Sequence, residues 1–177
     1  MARTPSSRPP LDAAAIERLA LRYVERFATT RVRFARYLSR KMAERGTVGE
    51  VPDPMALAER FAELGYIDDR RFGEAKAESL GRRGMGARRV SVALHHAGLA
   101  PEDRDPIVEE SGEHAIEHAL TFARRRRIGP FAENMADPAL RQRQLAAMIR
   151  AGHSYDLARK IVQAQPGEVP SEYDTRS

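Results

Sequence analysis

Cysteine and tryptophan are both absent from this 177-residue chain. Without cysteine there is no disulfide, no thiolate metal site and no cysteine nucleophile, a composition that fits a reducing compartment. Aromatic residues make up 6% of the chain, too few for base stacking to be a major mode of contact with nucleic acid. No apolar run approaches the roughly 18 residues that suggest a membrane span. The opening MARTPSSRPP lacks the apolar centre of a signal peptide. Sustained alternation of apolar and polar residues is also missing, so strands are not expected. No nucleotide-binding fingerprint or hydrolase elbow occurs.

What is present is basic charge and helical periodicity. Charged residues are 31% of the chain, arginines far outnumber lysines, and the net charge is +5. That balance favours a polyanionic partner without distinguishing nucleic acid from lipid. Hydrophobic residues, at 42%, suffice for a core and are mostly Ala, Leu and Val.

The strongest pattern is a helix-then-glycine unit that recurs three times. RFARYLSRKMAERG, ARRVSVALHHAG and RQRQLAAMIRAG end on Gly46, Gly98 and Gly152, spaced 52 and 54 residues apart. Each carries an apolar residue four positions before its glycine: Met42, Leu94 and Met148. Glycine just past a helix is a common stop because it lacks the Cβ that would clash there. A fixed period of this length predicts stacked helical units.

Caps and periodicity predict nine helices. The first runs from Asp12 to Phe27 with Ile16, Leu19, Tyr23 and Phe27 on one face. Thr29 or Thr30 caps the second, which turns Phe34, Leu38 and Met42 inward. Asp53-Pro54 and Asp137-Pro138 each open a helix with a cap and a proline. The fold expected is all-α, an elongated array of three tandem three-helix repeats at 11–66, 67–111 and 112–164. A disordered basic arm at 1–10 and a disordered tail at 165–177 flank it.

Two patterns hint at catalysis and are better explained otherwise. His114 to His118 reads HAIEH, the H-x-x-E-H order of an inverted zinc-protease motif. Its third ligand is missing except for tail acids such as Glu168 or Glu172, so no metal is expected. Asp68-Asp69 could be imagined as an acid–base pair. Adjacent residues at a helix start do not converge on one substrate, and capping explains them. GRRGMGARR could hold phosphate, yet it lacks the Lys-Ser/Thr ending of a nucleotide site.

The stretch from Ala56 to Val90 resembles the RecX family of bacterial recombination regulators. Its signature is a helix ending in Leu-x-x-x-Gly, then an aromatic, an apolar residue and two aspartates, then a further aromatic. Here these are Gly65, Tyr66, Ile67, Asp68, Asp69 and Phe72. ALTFARRRRIGP and RQRQLAAMIRAGHSYDLARKIV are similar to the family's later segments, so the resemblance spans about Ala15 to Val162. The link TVGEVPDP is longer than the tight turn common in the family. Residue by residue, the signature reads as a rigid structural junction. Gly65 stops one helix, Tyr66 and Ile67 anchor the link, Asp68 or Asp69 caps the next helix, and Phe72 packs back on Tyr66.

The resemblance implies a cytoplasmic regulator of the RecA recombinase. Such a protein would bind the RecA filament on single-stranded DNA and suppress ATP hydrolysis, strand exchange and coprotease activity. Some members also touch DNA, so single-stranded and double-stranded DNA join the filament as expected partners; no cofactor, catalysis or membrane contact is implied. A monomer is expected. The competing reading is a general nucleic-acid-binding helical module that affects RecA indirectly. Either way, the candidate contact residues are Arg82, Arg83, Arg88, Arg89, Arg124, Arg125, Arg126 and Arg127. They are dense, and glycines beside the first four would keep the backbone accessible.

Overall fold

A computed structural model describes residues 9–170, and these form nine α-helices and a short 3-10 helix with no strand element. The helices are α1 (Ala13–Val24), α2 (Arg31–Arg45), α3 (Pro54–Glu63), α4 (Asp69–Gly81), α5 (Ala87–Ala97), α6 (Pro101–Glu113), α7 (Ala115–Arg126), α8 (Pro138–Arg150) and α9 (Tyr155–Gln163). Most of the expected basic arm (1–8), and residues 171–177 of the expected tail, lie outside the described residues.

Short polar side chains begin the helices because each accepts from an otherwise unpaired first-turn N–H. Asp12, Thr30, Asp53, Asp68, Asp137 and Ser154 all do so. The three recurring glycines all have positive φ, at 77°, 82° and 97°. Leu94 and Met148 are fully buried. α1 stops at Val24, short of the Phe27 expected from periodicity, so the Phe27 ring is 53% exposed and packs beside Tyr23.

The described residues divide into two compact units. The first runs to Phe72 and includes Ala97–Leu99; the second holds Gly73–His96 and the chain from Ala100 onward. Residues 67–111 are therefore shared between them.

In the first unit α1 and α3 both pack on α2 or its neighbours. The Phe34 ring lies 5.2 Å from Phe61 and 6.1 Å from Tyr23, within the spacing of favourable aromatic pairs. Leu11, Ile16, Leu38, Leu57 and Ile67 close the core around them. Leu11 is held by an isolated bridge to the α2–α3 link: its N–H donates to Gly46 and its carbonyl accepts from Val48. In the second unit α7, α8 and α9 surround Phe122, Ile128, Met148 and Ile161. A turn at residues 165–168 follows α9, where the Gly167 N–H donates to the Pro130 carbonyl.

The junction residues 65–72 divide their work differently from the sequence expectation. α3 closes with the Gly65 N–H bonded to Ala62 and the Tyr66 N–H to Phe61, a Schellman-type ending that suits glycine at φ 77°. Ile67 is buried, but Tyr66 is 52% exposed and sets its ring against Phe61. Phe72 lies under the Arg33 guanidinium at 5.3 Å. Each aspartate serves a different helix. Asp68 caps its own, accepting from Arg71. Asp69, buried, accepts from the Arg31 backbone N–H at 2.9 Å and from its guanidinium at 3.3 Å, at the start of α2. The adjacent Thr30 is fully buried, and its hydroxyl donates to the Ala97 carbonyl at 2.5 Å.

Burial separates the two aspartates energetically. Asp69→Ala leaves the first N–H of α2 without its acceptor and takes one of its carboxylate partners from the partly exposed Arg31 guanidinium, and should cost about 2–3 kcal/mol. Asp68→Ala removes one exposed cap and should cost about 1 kcal/mol. Urea denaturation of the two variants checks the order, and equal losses would refute it.

Candidate polyanion-binding surface

All eight arginines singled out in the sequence are exposed, and all belong to the second unit. They flank segments that touch one another. Arg82 and Arg83 lie in the turn between α4 and α5, and Arg88 and Arg89 in the first turn of α5. At the centre of the α4–α5 turn Gly84 lies so close to α7 that a Cβ there would sit 2.5 Å from the Phe122 backbone nitrogen. Two residues past Phe122 begin Arg124–Arg127, so both clusters spring from one backbone contact.

The glycines beside the first cluster do not open the backbone, as the sequence suggested. Gly84 and Gly86 are buried. A Cβ on Gly86 would approach the Gly152 carbonyl to 2.4 Å. The turn's amides are also committed: Arg82, Arg83, Gly84, Met85 and Gly86 donate to Glu78, Leu80, Gly81, Leu80 and Ala151. A backbone phosphate cradle needs free N–H groups, so this turn does not offer one, and its exposed donors are the guanidinium groups.

These groups are held to different degrees. Arg124 sits 4.8 Å above the Phe131 ring and Arg126 5.2 Å above the Phe122 ring, both within cation–π range. Arg82 pairs with Glu78, and Arg127 with Glu133 at 3.2 Å. Arg83, Arg88, Arg89 and Arg125 have no ion-pair partner among the described residues. Exposed pairs such as Arg127–Glu133 contribute little to stability, so that pair is easily exchanged.

Arg127 is the single non-glycine residue with positive φ among the described residues, at 52°. α7 ends with its N–H bonded to Arg124 and the next, from Ile128, bonded to Ala123. α3, α4 and α8 end by the same pair of bonds, with Gly65, Gly84 and Gly152 in the corresponding place. An L-residue there costs on the order of 1 kcal/mol. The side chain thus leaves the helix at a different angle from its three predecessors.

One further residue was not visible in the sequence. His153 is 2% exposed, and its Nε2 lies 3.0 Å from the Gly84 carbonyl. A carbonyl only accepts, so Nε2 carries the proton and donates. The ring edge meets Phe122 at 5.7 Å between centroids. The available signal was position: His153 directly follows a helix-ending glycine, where Tyr66 and Met85 follow theirs. His118, the second histidine of HAIEH, packs its Nε2 onto the Gly81 backbone, and its Nδ1 is buried. His114 is exposed, with Nδ1 3.6 Å from Glu117. Among the described residues no three His, Cys, Asp or Glu side chains group as a metal site would require.

These features define an all-helical protein with an exposed, arginine-rich surface; no described helix is long and apolar enough to cross a membrane. No protein-family model matches the chain. Regulatory protein RecX of Myxococcus xanthus is 29% identical to it across 85% of this chain and 86% of that protein. The RecX regulatory protein of Halorhodospira halophila is 31% identical across 85% of this chain and 88% of its own length. That of Ectopseudomonas mendocina is 28% identical across 71% and 81%. The chain belongs to the RecX family of regulatory proteins, and its role is regulatory.

Two measurements probe this surface. Burial pushes His153 below the ordinary histidine value of 6.5, with the nearby His118 adding to the effect and the Gly84 hydrogen bond opposing it. Burial lowers His118 likewise. Their unfolded forms therefore bind protons more readily, so stability is full above pH 6.5 and falls as pH drops below it. Urea midpoints at about pH 7.5 and about pH 5.5 should show this loss, reduced in His153→Gln. Separately, Arg127→Gly should raise stability by about 1 kcal/mol by relieving the left-handed backbone; an unchanged midpoint would remove the strain assigned there.

Proposed function

We propose that this protein binds the RecA filament on single-stranded DNA and restrains its ATPase, strand-exchange and coprotease activities, acting in the cytoplasm as a monomer without catalysis of its own. The observation that carries this reading is family membership along most of the chain, at 31% identity to a named RecX regulator. The arginine surface supports it. Six of its eight guanidinium groups have no ion-pair partner among the described residues, and two of those six, Arg124 and Arg126, stack on aromatic rings. Arg127 supports it from another direction: a chain selected for stability alone would place glycine there, and strain of this kind collects at functional positions.

The arginines would face filament-bound DNA, single-stranded first and double-stranded second, or acidic RecA surface. Steering by such a field raises association rates and makes them salt-dependent. If about four phosphates of a single strand are neutralised, log affinity falls with log salt at a slope near −3.

The test is a titration of RecA ATPase on single-stranded DNA. Inhibition well below one protein per DNA-binding site is the expected result. Inhibition that appears only once the DNA is coated would instead make this a general nucleic-acid-binding module that competes for DNA. Replacing Arg125 and Arg126 with Glu should weaken inhibition while circular dichroism stays unchanged. Full inhibition by that folded variant would move the contact surface elsewhere.

A further inference from the structure

We propose that His153 is the positioning residue that holds Arg82–Arg89 and Arg124–Arg127 together as one polyanion-binding surface. The inference rests on the arginine reading above and names what keeps its two halves in register. The two clusters lie far apart in sequence and meet through a small hub. His153 donates from Nε2 to the carbonyl of Gly84, which sits between Arg83 and Arg88 in the chain. The same imidazole packs edgewise on Phe122, the ring beneath Arg126. One side chain therefore ties the turn in the middle of the first cluster to the ring on which Arg126 of the second is stacked.

Packing alone does not account for a histidine here. The side chain is 2% exposed, with Phe122, the Gly84 carbonyl and His118 beside it, and an aliphatic or aromatic residue would fill such a place at less desolvation cost. With Nε2 protonated, Nδ1 is an acceptor, and it is buried without a hydrogen-bond partner among the described residues. Leaving a buried acceptor unpaired is unfavourable. What histidine adds over an apolar residue is the single bond to the Gly84 carbonyl. That carbonyl is buried in a turn whose neighbouring backbone groups are already paired with one another, and a buried carbonyl needs a donor.

Losing that bond should let the α4–α5 turn drift from α7 while the helices remain. Fewer phosphates would then be engaged at once. The readout is the salt dependence of binding to a labelled single-stranded oligothymidylate, with the full chain. Wild type should give a slope near −3, and His153→Leu one near −1.5, as about two phosphate contacts are lost. Extrapolated from a common value at about 1 M salt, that difference makes the variant about thirtyfold weaker at about 0.1 M. His153→Gln, which can present an amide N–H at nearly the same place, should recover the wild-type slope. A merely structural role would lower the melting temperature and leave the slope of the folded protein alone.

A folded His153→Leu with the wild-type slope overturns the proposal, as does equal impairment in the Gln and Leu variants. If the Leu variant does not fold, Phe122→Leu removes the platform from the other side. Its slope should fall likewise, and a wild-type slope there overturns the proposal too. Wild-type protein that fails to bind the oligothymidylate would defeat the DNA reading of the arginine surface itself, a result seen before any variant is measured.

Discussion

Everything in the second unit depends on a place where backbone meets backbone with no side chain between. Gly84 lies against Phe122 of α7, and Gly86 and Gly152 lie against each other across the α4–α5 and α8–α9 turns. A Cβ at any of the three would approach backbone atoms to 2.4–2.5 Å, well inside contact distance. The chain closes this contact with hydrogen bonds from Gly86 to Ala151 and from His153 to Gly84. The segments beside the two arginine clusters touch because these glycines let the backbones approach. The same contact consumes the turn's amides, which leaves the guanidinium groups as the exposed donors of this surface.

Helix endings tell a related story. Four helices stop by one hydrogen-bonding scheme, and three of them use glycine at the left-handed position. α7 uses Arg127. The scheme needs only a backbone that tolerates positive φ, so the helix ends correctly at a modest cost in strain. In exchange the chain gains a cation at the tip of an arginine run, redirected away from the helix axis. Stability and surface chemistry pull against each other at that residue, and the arginine is what the chain carries.

In the first unit the ties are polar and buried. Asp69 receives the first N–H and the guanidinium of Arg31, while Thr30 reaches the end of α5. These bonds join residues far apart in sequence and fix the start of α2 from two directions. Tandem aspartates that look redundant in the sequence thus have separate tasks, one local and one long-range. Local capping follows from helix-start chemistry, whereas the destination of the second carboxylate depends on which helix comes to lie beside it.

That distinction runs through the whole molecule. The helices follow from local sequence, because caps, glycine stops and 3.6-residue periodicity act over a few neighbouring residues. α5 appears with its expected boundaries at Ala87 and Ala97, and the other helices, with their caps, depart by only a few residues at their ends. The eight arginines were also legible, since charge of that density belongs on a surface. Left-handed Arg127 was not, because its neighbours along the chain do not force positive φ. The task of the glycines near Arg82–Arg89 was hidden as well: a glycine permits exposure or close approach alike, and only the partner segment chooses. His153 was the least visible of all, because the carbonyl it serves lies 69 residues away. Which residues are cationic is a property of composition. Which cations stand together was decided by tertiary structure, through backbone contacts that no local pattern encodes.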